Sequence, residues 1–162
     1  MERREEVLKR GKIWRRASPT DLSFTHEAWP FFHLSRLTSL YHQRMDAYLK
    51  PIGMDVPRWR VLNILVEHET TPISIIADLA VIRIPTMTKL IYRMEAENLI
   101  TTQVSSRDGR VTEVCLTDKG RSAVEQVRAK AELIFQRAFH DIEDAEIDQF
   151  MQTMKKVFKN IY

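Results

Sequence analysis

The chain has 162 residues, 44% of them hydrophobic and 29% charged, a balance that fits one globular domain with a single core and argues against global disorder. No apolar run approaches the roughly 18 residues of a bilayer span, and the N-terminus MERREEVLKRGKIWRR lacks the apolar stretch of a signal peptide, so a cytoplasmic protein with no membrane partner is expected. A single cysteine, Cys115, excludes an internal disulfide or a multi-cysteine zinc site, and the five histidines show no metal-ligand spacing, so neither a metal nor a cofactor is expected.

The net charge of +3 is only mildly basic, and its distribution says more. Arg3, Arg4, Lys9, Arg10, Lys12, Arg15 and Arg16 crowd the first segment, whereas Asp141, Glu143, Asp144, Glu146 and Asp148 cluster near the end. Residues 1–28 read as a basic arm that breaks at ASPTDLS. From Pro30 to Leu49, Leu34, Leu37, Tyr41, Met45 and Tyr48 recur at helical spacing, giving a long helix within a segment spanning residues 29–53.

Asp55 stands where an N-cap belongs, with Pro57 in the first turn, and Val61, Leu62, Ile64 and Leu65 supply the apolar face of the next helix. TTPISIIADLA repeats the pattern, with Thr71 as cap, Pro72 at the first helical position, and Ile75, Ile76 and Leu79 as apolar positions. Only VIRI separates it from PTMTKLIYRMEAEN, where Met87, Leu90, Ile91 and Met94 form a stripe to be buried. Two helices so closely joined suggest a helix-turn-helix.

Asn98 tolerates the left-handed conformation that ends a helix. The β-branched runs LITTQV and VTEVCL then predict a hairpin with Arg107, Asp108, Gly109 and Arg110 at its tip, Gly109 supplying a positive φ. From Thr117, placed as an N-cap, a long helix carries Val124, Val127, Ala131, Ile134 and Phe135. After a break near Asp141, a last helix carries Ile147, Phe150, Met151, Met154, Val157, Phe158 and Ile161. These stripes and the long first helix exceed what one small lobe needs for its core, so a partner subunit is expected to cover them.

Leu34 to Gly120 resembles the MarR family of bacterial transcription regulators. IGMDVPRWRVLNIL resembles its second-helix region, ISIIADLAVIRIPTMTKLIYRMEAENLI its helix-turn-helix, and SSRDGRVTEVCLTDKG its wing, where Asp-x-Arg running into Leu-Thr-x-x-Gly is the most specific part. Asn98 replaces the family's usual glycine, and Thr101 and Thr102 stand where an arginine commonly begins the wing strand. The resemblance implies a mainly α fold with a small β-hairpin wing: a winged helix-turn-helix lobe, residues 54–117, between dimerisation helices at residues 29–53 and 118–162 of an interlocked homodimer.

With its apolar stripe subtracted, the second helix-turn-helix helix presents Pro85, Thr86, Thr88, Lys89, Tyr92 and Arg93 outward, types suited to the major groove of double-stranded DNA. A two-stranded finger can set an arginine tip in the adjacent minor groove. By resemblance that arginine is Arg110, Asp108 orients it, and Arg107 meets phosphate.

The family's small aromatic carboxylate or CoA thioester effectors would sit near Trp29, Phe32, His33, Arg36, Leu40 and Trp59; alternatively the aromatics are dimer core and Arg36 forms an interhelix ion pair. No nucleophile motif, glycine-rich phosphate loop or metal set suggests an enzyme. An architectural DNA binder and a protein-docking winged helix are the other functions this fold could serve.

Overall fold

Short polar side chains set several of the boundaries in this protein, whose computed structural model describes residues 11–162. A short helix α1 (Lys12–Ala17) and a 3-10 turn (His26–Ala28) lead into α2 (Pro30–Leu49). The cationic positions Arg3, Arg4, Lys9 and Arg10 of the arm lie outside the described residues. Gly53, with φ 70°, reverses the chain after a second 3-10 turn (Lys50–Ile52), a left-handed conformation that glycine adopts without steric cost.

Helix α3 (Val56–His68) then starts as expected: the Asp55 carboxylate accepts a 2.8 Å hydrogen bond from the Arg58 amide. The rest follows in the order β1 (Thr70–Pro72), α4 (Ile73–Leu79), α5 (Ile84–Ala96), β2 (Ile100–Val104), β3 (Thr112–Leu116), α6 (Asp118–Ala138) and α7 (Asp144–Ile161). Asn98 closes α5 at φ 57°, and Asp141 breaks the chain between α6 and α7 at φ 60°.

The three strands form an antiparallel sheet in the order β1, β3, β2, with Thr70 opposite Cys115 and Ile100 opposite Leu116. Its β1 corrects one sequence expectation. Thr71 is not a helix cap and Pro72 is not in the helix; both pair with β3, and Pro72 only precedes α4. Pairing with a strand more than 40 residues away has overridden a local cap pattern.

One core joins the elements. Met45 and Leu49 of α2, Val61, Leu62 and Leu65 of α3, Ile76 of α4, Met87, Ile91 and Met94 of α5, Ile100 and Val114 of the sheet and Val127 of α6 have at most 1% of their surface exposed. Each such side chain contributes about 1.5 to 3 kcal/mol of transfer free energy. In α4 the buried positions are Ile73, Ile76 and Ala77; of the apolar positions noted in the sequence, Ile76 is buried whereas Ile75 and Leu79 face outward.

The C-terminal helices look different. Val124 and Val127 anchor the first half of α6, but Leu133 and Phe135 farther along are about half exposed. Helix α7 has a complete capping box, Glu143 with Glu146, yet buries no residue; Phe150, Met151, Val157, Phe158 and Ile161 all stay exposed. At its end the Tyr162 hydroxyl donates to the Asp78 carboxylate of α4. Among the described residues no helix is long and apolar enough to cross a membrane.

Candidate nucleic-acid interface and effector groove

Helix α5 is one of the more amphipathic helices of the chain, and its burial follows the apolar stripe. With Met87, Ile91 and Met94 inward, Pro85, Thr86, Lys89, Tyr92 and Arg93 are exposed on the opposite face, as the sequence pattern implied. Thr88 departs from that set: it is half-buried, and its hydroxyl donates 2.9 Å back to the Ile84 carbonyl within the helix.

Sequence reasoning passed over Arg83. It occupies the N-cap position of α5 in extended conformation and is exposed, beside the residues just named. The signal was available, an arginine two residues before the proline that opens a helix. Nearby, Arg60 of α3 donates 3.2 Å to the Ala80 carbonyl, closing the end of α4. Val81 makes the turn between α4 and α5 at φ 53°, which is strained for a β-branched residue.

The wing follows α5 in the chain. Its loop is wider than a two-residue turn: the Ser105 amide donates to the Val111 carbonyl at 2.9 Å, and Val111 donates to Asp108 at 2.9 Å. Gly109 does not take a positive φ, as the sequence reading required, because the loop turns around the Asp108 side chain instead.

Asp108 Oδ1 accepts from the Arg110 amide at 3.0 Å and from its Nε at 3.1 Å, while Oδ2 accepts from the guanidinium at 2.9 Å. This bidentate pairing holds the Asp108 carboxyl below its ordinary range and raises Arg110 further. The Arg110 side chain is nonetheless 91% exposed, so the clamp presents a cation in a fixed direction rather than hiding it. Arg107 is exposed as well, its amide donating to the Ser105 hydroxyl at 3.3 Å.

The wing is tied to α5 by Glu95, whose Oε1 accepts from the Thr102 amide at 2.8 Å and hydroxyl at 2.6 Å. Thr102 is therefore engaged in fixing the strand to the helix. Cys115 sits in β3, partly buried, 3.2 Å from the Thr70 hydroxyl.

The six residues named for an effector divide into two groups. His33, Arg36 and Leu40 line one open groove of about 450 Å³ along α2, together with Ser35, Leu37, Ser39 and Gln43. Phe32 adjoins it, with the Arg36 guanidinium 5.2 Å above its ring, a cation–π arrangement. His33 is already engaged, its Nε2 donating 2.6 Å to the Glu27 carbonyl.

Trp29 faces the arm, edge-on to Phe24 and Phe31. Trp59 is half-buried against the main core, near the Tyr41 hydroxyl. Burial pushes the Tyr41 phenol above its ordinary value, the nearby Arg60 and the Trp59 indole opposing the shift. Within one chain, then, Trp29 and Trp59 do not join the groove.

Comparison with known proteins converges on this lobe. The MarR family model matches residues 54–112. A curated relative, the HTH-type transcriptional repressor IacR of Pseudomonas putida, is 38% identical over 143 residues, 88% of this chain and 86% of the relative. Among solved structures, the S. aureus MepR–DNA complex matches with a TM-score of 0.76 at 18% identity, covering 85% of this chain and 100% of that one. CouR from Rhodococcus jostii RHA1 bound to p-coumaroyl-CoA matches with a TM-score of 0.71 at 21% identity, covering 78% and 89%. An exposed helix-turn-helix face, an arginine wing and a relative this similar along nearly the whole chain lead to one conclusion: the protein belongs to the MarR family of winged-helix, DNA-binding transcriptional regulators, which are not enzymes.

Proposed function

We propose that this chain is a homodimeric repressor that reads a pseudo-palindromic operator and is released from it by a small aromatic carboxylate or its CoA thioester. Helix α5 enters the major groove with Pro85, Thr86, Lys89, Tyr92 and Arg93, while the Thr88 hydroxyl stays on its own helix. Arg110 enters the neighbouring minor groove and Arg107 meets phosphate. The observation that carries this reading is the clamp of Asp108 on an otherwise exposed Arg110, because ordering a long cation before binding lowers the entropic cost of inserting it. Two-fold symmetry places the half-sites about 10 bp apart, centre to centre, or a multiple of that.

Dimerisation is supported by the bare apolar faces of α7 and the second half of α6. The effector reading is supported by the groove of His33, Arg36 and Leu40, edged by Phe32, a surface where one cation and two leucines stand among short polar side chains. Repression is supported by the 38% identity to IacR, and an acyl-CoA effector by the fold shared with CouR.

The test is binding of the purified protein to the intergenic DNA beside its gene, at two salt concentrations, for wild type and Arg110→Ala. A saturable, salt-sensitive complex that the substitution weakens is expected. Equal binding by both proteins on related and unrelated DNA would refute the reading. A panel of aromatic acids and their CoA thioesters is then added to the preformed complex. A coupling of about 1 to 3 kcal/mol would weaken it roughly 5- to 150-fold.

A further inference from the structure

Helix α5 is held at its C-terminal end by a group outside the DNA-facing set. Arg58, in the first turn of α3, bridges two carboxylates: its Nη1 donates to Asp55, the cap of its own helix, and its Nε and Nη2 donate to both oxygens of Glu97, the residue that ends α5. The Nε bond measures 3.0 Å. Only 13% of the Arg58 side chain is exposed, so this is an ordered, partly desolvated triad rather than a surface pair. From the other side, Lys119 Nζ donates 2.8 Å to the Glu97 carbonyl.

We propose that Arg58 is a positioning residue for DNA recognition, acting through Glu97 to set the tilt of α5. The inference rests on α5 being the reading helix. Met87, Ile91 and Met94 bury one face of α5, Glu95 ties its last turn to Thr102, and the pair of Arg58 with Glu97 adds a restraint from α3 on the same end. A bidentate arginine pair is directional. The lever is long: Pro85 lies about 18 Å along the helix from Glu97, so a tilt of about 5° moves it about 1.5 Å. That displacement is enough to break hydrogen bonds to base edges while leaving long cations within reach of phosphates. Specific binding should therefore suffer and non-specific binding should not.

The experiment compares Arg58→Met and Glu97→Gln with wild type, each protein measured against the tightest duplex selected from a randomised pool and against a scrambled duplex at the same salt. Thermal midpoints are recorded alongside. Both variants are expected to lose about tenfold affinity for the selected duplex and less than twofold for the scrambled one, with Arg58→Lys recovering part of the loss. Val124→Ala, a core change in α6 at a residue that makes no hydrogen bond to the triad, serves as the stability control and should lower the midpoint without changing the ratio of the two affinities. An unchanged ratio in Arg58→Met and Glu97→Gln would overturn the proposal, as would an equal fall in Val124→Ala. A wild-type protein with no preference between the duplexes would instead refute the reading of α5, before any variant is considered.

Discussion

Gly120→Ala is the most severe small substitution the structure identifies. A Cβ at Gly120 would lie 2.0 Å from the Leu99 carbonyl oxygen, 3.1 Å from its carbon and 3.2 Å from Leu116 Cδ2. Ordinary contact begins at 3.4 Å, so one of the two backbones must move by about 1.4 Å in close-packed surroundings. Thr117 is caught between them: its amide donates 3.2 Å to Leu99, its hydroxyl donates 2.7 Å to the Asn98 carbonyl, and its oxygen caps α6 by accepting from Gly120 at 3.0 Å.

Overpacking costs about 1 to 3 kcal/mol, and loss of the cap and of one hydrogen bond about 1 kcal/mol each. Alanine's helix preference returns at most about 1 kcal/mol. A net loss of about 3 kcal/mol is expected, or about 10 °C in Tm for a chain of this size. The assay is thermal and urea unfolding at fixed protein concentration, with Gly109→Ala as the comparison, because a Cβ there meets nothing within 4 Å. If Gly120→Ala unfolds within about 0.5 kcal/mol of Gly109→Ala, the reasoning is wrong.

Val81→Gly should act in the opposite direction. It relieves a left-handed β-branched residue, worth about 1 to 2 kcal/mol, against about 0.5 to 1 kcal/mol of added chain entropy, and Val81 is 66% exposed, so little burial is lost; a Tm rise of a few degrees is expected. The Asp108 carboxyl, titrated by NMR, should show a midpoint below the usual aspartate value that rises toward it in Arg110→Ala, where only the backbone amide of residue 110 still donates to Oδ1. Because its folded pKa is lowered, the clamp is fully present above the usual value and is lost as pH falls through the depressed one. An unshifted wild-type midpoint would refute the clamp. A synthetic peptide of residues 143–162 should show little helix by circular dichroism in water despite its capping box, because its apolar face has nothing to pack on; a strongly helical monomeric peptide would contradict that account.

Much of the lobe was legible because the signals were local. Asp55 and Thr117 cap their helices through their own side chains, and Asn98 takes the left-handed turn its short amide permits. The stripe of α5 repeats over enough turns to declare its inner face, and so its outer one. What escaped the sequence is what distant residues decide. Strand β1 exists because β3 lies beside it, and the 7-residue α4 is too short to declare which isoleucine is buried. The Asp-Gly pair suggested a tight turn, but the Asp108 carboxylate accepting from Arg110 shapes a wider loop. Arg58 gave no signal at all, since its partner Glu97 lies 39 residues away on another helix. The effector residues were the least legible, because a list of aromatics does not say which face each takes: Trp59 turned to the core and Trp29 to the arm.

The same joints constrain how a distant event could reach the DNA-reading face. Leu99 against Gly120, Thr117 on Asn98, and Lys119 on Glu97 weld the end of α5 and the wing strands to the first turn of α6. None of these contacts leaves room for sliding, so this part of the lobe and the start of α6 move together. Helix α6 is 21 residues long, about 32 Å, and its far half carries the exposed Leu133 and Phe135. A tilt of about 3° imposed there displaces the welded end by about 1.7 Å, comparable to the displacement that separates made from broken base contacts. In the proposed dimer the spacing between two α5 helices would therefore follow how the far halves of α6 are covered, and changing that cover would be a cheaper way to move them than deforming a core whose central side chains are fully buried.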